Sequence, residues 1–485
     1  MNTHNLYVNT AHLSPLTEQQ VNQIHHATLQ ILEETGIWVG NETLLEMARC
    51  RGLCVDGQKI CFTEAVLEEA LSTAANAFTL KARNPENDLK FALDVTAVGM
   101  GRSAPFIMTP EGNRRNATGA DFLELMKLGQ SLNAIQMPGP LVFPEKMAQE
   151  DVYAFMMAAQ VRYSDKPCHL SKGEDLKILC MAMGITVDTL KKDADKGISY
   201  AQTTVNSLSP LALTSGQGQL LIDAAEHGIA ICLSPTPATG STGPCSLMGN
   251  LILNNCETLG MLILSQWVRP GLPVFYGAFP SASDMRTMSA TYGGPESRKM
   301  ELASALMAKH YNLLSRSNVN NDAQVCDFQA GAESMFNLVT AFQGQVNFIP
   351  GCGHLASFAA ASQAKLILDA ELTEYARYFA KPIPGSDSLD ETIKLIQETG
   401  PRGKYVTSFH TFSHFREVLH HPDLFPRVSH DKWCKGRKSL QADAQHKADH
   451  LLEAYQQPPI DKDLDRRLAK FCEPGLGENS CEADR

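Results

Sequence analysis

The chain has 485 residues, 44% hydrophobic and 20% charged, which is enough apolar material for one large domain plus a smaller one. A formal charge of -11 argues against a general nucleic-acid surface or an anionic-membrane surface, because both partners are polyanions. The first ten residues are polar, no run of about 18 apolar residues suggests a membrane span, and the 13 cysteines are odd in number and scattered, so a cytoplasmic protein with reduced thiols is expected.

Ser14-Pro15 opens a first helix, in which Thr17 and Gln20 have capping-box spacing and Val21, Ile24, Thr28, Ile31 and Leu32 form one stripe before Gly36. Further helices are predicted over 42–50 and 63–74, followed by strand-like runs at 78–82, 89–93 and 104–108. Residues 1–125 thus read as a helical cap with a small antiparallel sheet. Cys50, Cys54 and Cys61 cluster there without a fourth ligand at tight spacing, so no metal is expected.

From residue 126 the pattern changes to short apolar strands alternating with longer helices. Eight strands are predicted, at 135–143, 167–170, 198–206, 229–233, 274–278, 313–317, 346–349 and 404–407. The stretch 313–358 is one complete strand–helix–strand unit, whose two strands should be parallel with their polar ends pointing the same way. Eight such units match an α/β fold of the (β/α)8, or TIM-barrel, type over 126–430. Residues 431–485 read as a C-terminal helical extension ending in a solvated tail.

Barrel enzymes build their sites from the loops after the strands. These loops are 143–145, 171–172, 206–207, 234–236, 279–281, 318–322, 351–354 and 409–411; they are rich in amides, hydroxyls and aromatics and poor in charge. Phosphoryl transfer needs convergent cations and metal ligands, and glycoside hydrolysis needs two carboxylates, so both are disfavoured. Such a site suits a ligand cationic at one end and anionic at the other. Phe106, Tyr276 and Phe279 are candidate ring faces for the cation, while Asn206, Asn320, Asp322, His354 and His410 are candidate polar contacts. No residue is assigned a catalytic role. His25-His26 and His420-His421 read as helix faces, and His410 and His414 at i, i+4 lack an acidic third ligand. The run 349–353 lacks the third glycine of a nucleotide loop, and there is no D-x-H-x-x-G stretch to anchor a corrinoid, so any cobalamin must arrive on another protein.

Four stretches carry a resemblance: LTEQQVNQIHHATLQILEETGIWV, GRSAPFIMTPEGNRRNAT, NDAQVCDFQAGAE and TSFHTFSHFREVLHHPDLFPR. In this order they resemble the trimethylamine methyltransferase family along nearly the whole chain. The resemblance implies a (β/α)8 barrel that moves a methyl group from an amine nitrogen to the Co(I) of a corrinoid held by a separate protein. The founding members carry pyrrolysine in or near the region that is 318–329 here, and this chain has only standard residues there. It therefore resembles the branch acting on quaternary amines, with glycine betaine foremost and proline betaine or carnitine next. The chemistry agrees, because a quaternary ammonium leaves as a neutral tertiary amine and needs no covalent activator. The expected partners are the amine, a corrinoid protein and further copies of the chain, with no cofactor bound permanently. Two alternatives share the architecture: a lyase or aldolase acting on a small carboxylate, and a betaine-binding protein without catalysis.

Overall fold

The computed structural model describes residues 14–476 except 146, 278, 384–387 and 437–438. The polar first ten residues, the end of the predicted 274–278 strand and the 477–485 part of the predicted tail lie outside the described residues.

Six named strands form most of a parallel ring: β1 (Ala97–Met100), β2 (Gln202–Val205), β3 (Ala230–Leu233), β4 (Val274–Tyr276), β5 (Leu314–Ser315) and β6 (Phe348–Cys352). Strands β2 to β5 pair in sequence, Arg316 bridges to Phe348, and β6 pairs with β1. Parallel bridges from Gly99 to Met137 and from His169 to Gln202 add the two remaining barrel segments. Lys166 ties these two together by donating to the carbonyls of Gly129, Leu132 and Ile135 at 3.0, 2.8 and 2.8 Å.

Three strand predictions need correction, the first being 104–108, since Phe106–Met108 pairs with Arg114–Asn116 and Ala360–Ala361 and not with the Phe78–Leu80 and Leu89–Phe91 strands. The predicted strand at 404–407 is exposed turn, and the position it was given in the ring belongs to β1, from a region read as cap. The strand–helix–strand unit is as expected, with β5 and β6 parallel across the Phe328–Gln343 helix.

Strand parity sorts the core. Ala230, Cys232, Phe275, Leu314 and Phe348 fill the barrel interior together with Phe78, Leu80 and Phe91. The latter three come from the small sheet of Phe78–Leu80, Leu89–Phe91 and Ile198–Ser199, and Phe91 meets Phe275 edge to face at 5.0 Å. Ala75 pairs with Pro273, the residue before β4, so this sheet plugs the N-terminal end of the barrel and leaves the C-terminal end open for a site.

The first helix, Glu18–Glu34, starts at the capping box of Thr17 and Gln20 and stops where Gly36 takes φ +73°. It lies on the Leu247–Val268 helix through a buried network. Asn255 donates to Thr28 Oγ1 at 2.8 Å and to the Tyr311 hydroxyl at 2.9 Å, and accepts from Tyr276 at 2.7 Å. Leu247–Val268 is long and apolar enough to cross a membrane by length and composition, yet 78% of its most apolar window is buried in the protein, and it carries buried Asn250, Asn254, Asn255 and Glu257.

Candidate functional site

The C-terminal ends of the barrel strands surround a cavity of about 540 Å3. Each of the first seven predicted loops reaches it, through Phe143, Ser171, Asn206, Ser234, Phe279, Asn320 and His354 among others. The eighth, 409–411, does not. His410 lies on the Phe409–Val418 helix, stacked on His414 with centroids 4.4 Å apart, and does not line the cavity.

Three further candidates fall outside the lining. Tyr276 shares the outward parity of Val274 and spends its hydroxyl on Asn255. Phe106 sits in a hairpin with its ring under the Arg114 guanidinium at 4.4 Å. Asp322 acts as a clamp, accepting from the backbone N–H of Tyr292 and Gly293 at 2.8 and 3.0 Å and from the Ser357 hydroxyl at 2.8 Å. It thereby fixes the two loops that carry Phe279 and Phe358. Phe279, Tyr292 and Phe358 form a ring cluster with centroids 4.9 to 5.7 Å apart, and Phe279 and Phe358 face the cavity.

His354 and Asn320 do line it, both almost wholly buried. The turn that presents His354 is held by an ion pair of Lys365 with Asp369, whose carboxylate also accepts the Gly353 N–H at 2.8 Å. Close backbone approach is required on both sides: a Cβ on Gly101 would lie 2.3 Å from the imidazole, and Gly351 takes φ +116° beside Asn320. Burial, with Lys365 adding to it, holds the His354 pKa down at about 3, so the ring is neutral. Its Nδ1 lies 2.9 Å from Asn320 Oδ1, an oxygen that can only accept, so the proton sits on Nδ1 and Nε2 carries a lone pair without a partner. A hydrogen-bond donor to an anion is therefore not available from His354 in this arrangement. His169, also in the lining, is likewise pushed well below the ordinary histidine range by burial and by nearby Arg102.

Two lining residues were missed by the sequence analysis and reverse its reading of a charge-poor site. Arg102, two residues after β1, donates to Thr204 and Gln202, and Arg316, directly after β5, donates to Ser234 at 2.7 Å. Burial lowers both, Arg102 to about 9 with Arg316 repelling it further, while the charge of Glu301 partly offsets the shift at Arg316, and neither guanidinium is in an ion pair among the described residues. The nearby Glu301 is occupied by Arg298, Ser317 and Asn318. A signal for Arg316 existed, since a lone arginine inside a predicted buried strand has no packing reason to be there. Arg102 was hidden because β1 itself was not recognised.

The parallel barrel has a solved counterpart among the methyltransferases. The crystal structure of the monomethylamine methyltransferase of Methanosarcina barkeri matches with a TM-score of 0.54, covering 92% of this chain and 89% of that one at 11% identity. The sequence matches the trimethylamine methyltransferase family over residues 1–474, and the chain belongs to that family. It is similar to the glycine betaine methyltransferase of Desulfitobacterium hafniense (strain Y51), 34% identical over 94% of this chain and 96% of the relative. It is also similar to the proline betaine:corrinoid methyltransferase of Eubacterium limosum, 26% identical over 81% and 83%. The L-carnitine:corrinoid methyltransferase of the same organism is 27% identical over 91% and 93%.

Proposed function

We propose that this protein transfers a methyl group from a quaternary amine, glycine betaine foremost, to the corrinoid of a separate protein, with proline betaine and carnitine as the next substrates. The observation that carries the reading is a cavity walled by Phe279, Phe358, amides and hydroxyls, with no carboxylate among its lining residues, in a chain of this family. Ring faces attract a trimethylammonium group without the desolvation penalty of a full ion pair. The leaving group is a neutral tertiary amine, which needs no proton, and the neutral His169 and His354 are consistent with a site that has no general acid.

The work left to the protein is to desolvate the cation, hold its C–N bond in line and exclude water. Asn320 and Asn206 line the cavity as neutral dipoles, and Asp322 positions the Phe358 loop from outside it. The corrinoid, when presented, supplies the Co(I) nucleophile. Ser103 is an exposed lining residue and Phe358 is 37% exposed, so the mouth admits a partner at the face where transfer would take place.

The reading includes a cytoplasmic setting, which the twelve free cysteines among the described residues support, and self-association, which the exposed Leu389, Ile393, Ile396, Phe409 and Phe412 support. Incubating the purified protein with reduced cobalamin and a panel of quaternary amines tests the activity. Formation of the matching tertiary amine is expected with glycine betaine, and absence of turnover on every quaternary amine overturns it.

A further inference from the structure

We infer that Arg102 and Arg316 together hold the substrate carboxylate, so that the site selects zwitterionic quaternary amines over purely cationic ones of the same size. This rests on the methyl-transfer reading and names its substrate class. Both guanidiniums line the cavity, and neither makes an ion pair among the described residues. Their acceptors, Thr204, Gln202 and Ser234, are all neutral. Each also keeps a buried Nε without a partner.

The contrast with two buried cations of the same molecule, Arg298 and Lys365, is direct. Arg298 pairs with Glu301 at 2.7 Å, and Lys365 pairs with Asp369 at 2.5 Å. Burying a cation without a counter-charge is costly, and two in one cavity repel each other as well. An anionic ligand relieves both costs, and planar guanidinium is the group suited to a carboxylate. His354 does not compete for this role, since its free nitrogen offers a lone pair.

The opposite end of the ligand is provided for nearby. Arg316 lies over Phe279 at 5.1 Å, and Phe279 meets Phe358 at 5.7 Å, so the cationic wall and the ring wall adjoin. A short zwitterion spans the two, with its trimethylammonium against Phe358, which is the lining ring nearer solvent. That orientation presents the methyl groups to the open end of the barrel, where the methyl acceptor would arrive.

Calorimetric titration of the intact protein with glycine betaine and with choline tests the assignment, because choline keeps the trimethylammonium and replaces the carboxylate by a hydroxymethyl group. The native protein should prefer glycine betaine by about 100-fold, roughly tenfold for each charge-assisted contact. Arg316→Gln and Arg102→Gln should each reduce that ratio about tenfold by weakening betaine rather than choline, and Arg316→Lys should restore part of it. If a glutamine variant fails to fold by circular dichroism, the lysine variant at that position carries the test, with an intermediate ratio expected. Equal affinity for the two ligands in the native protein, or a ratio unchanged in folded variants, overturns the proposal. Selective, arginine-dependent binding without methyl transfer would keep the clamp and overturn the proposed activity. Methyl transfer from choline and glycine betaine alike would do the reverse.

Discussion

His354 is a histidine that does not titrate in the physiological range. In the unfolded chain its pKa is near 6.5, and in the fold it is held at about 3, mainly by burial. The depressed value means that below pH 6.5 the unfolded chain takes up a proton that the folded protein refuses. The stability tied to this residue is therefore complete above 6.5 and is lost progressively as pH falls toward 3, at ~1.4 kcal/mol per pH unit. His169 is shifted in the same direction. We expect His354→Gln to flatten the acid limb of thermal stability between pH 6 and 4, measured by differential scanning calorimetry, while ligand affinity between pH 6 and 8 shows no step from this residue. An acid limb unchanged in the variant would contradict the buried neutral state. A neutral imidazole whose Nδ1 already faces Asn320 brings no positive charge to a carboxylate, which is why this candidate polar contact from the sequence is not given the role proposed for Arg102 and Arg316.

At the scale of elements, the loop bearing Phe358 is held in a strained form. Ala356, Ser357 and Phe358 take φ of +52°, +53° and +62° in succession, a left-handed turn that costs ~1–2 kcal/mol per residue with a Cβ. It persists because the 321–323 segment binds it: the Ser357 and Ala356 N–H groups donate to the carbonyls of Asn321 and Ala323, both at 2.8 Å, and Ser357 Oγ donates to Asp322. Ala356→Gly should raise the unfolding midpoint through ~1 kcal/mol of relieved strain, readable in a urea melt. Asp322→Ala should release the turn, weakening glycine betaine binding about tenfold, in line with the ~1–3 kcal/mol tied to buried hydrogen bonds. Unaltered affinity would show that the loop does not shape the site. Deeper in the barrel, Glu301→Ala should cost ~3–5 kcal/mol in the same melt, because it leaves Arg298 buried and alone.

The elements that were legible in the sequence are those with local signals. The Glu18–Glu34 helix carries its own capping box and glycine stop, and the Glu42–Cys50 helix matches its predicted bounds. The seven site-bearing loops were legible because strand, turn and helix recur at regular spacing. β1 was not, since Ala97–Met100 is a four-residue run whose partners are Phe348–Cys352 and Met137, far along the chain. Lys404 to Thr407 has the β-branched and aromatic composition of a strand, but Tyr405 and Val406 stay exposed. Parity decided the rings: Tyr276 points outward to Asn255, while Phe279, beyond the strand, turns into the cavity. Missing β1 also hid Arg102, so a topological error became an electrostatic one.

At the scale of the whole molecule, large apolar side chains stand exposed on two helices that follow the barrel among the described residues. The Leu389–Thr399 and Phe409–Val418 helices bury none of their residues, and Leu389, Phe409 and Phe412 are 80%, 82% and 71% exposed. Apolar side chains exposed in this number support the proposed self-association. Sedimentation equilibrium should show a species heavier than the 53.0 kDa chain, and Phe409→Ser with Phe412→Ser should shift it toward that mass. A single species at the chain mass in the native protein would contradict self-association.

The methyl transfer itself is tested most directly with glycine betaine carrying 13C in its N-methyl groups. The intact protein, supplied with that substrate and reduced cobalamin, should pass one label to cobalt for each dimethylglycine formed, followed by NMR. Bound glycine betaine that remains fully methylated, with no label on cobalt, would contradict the account.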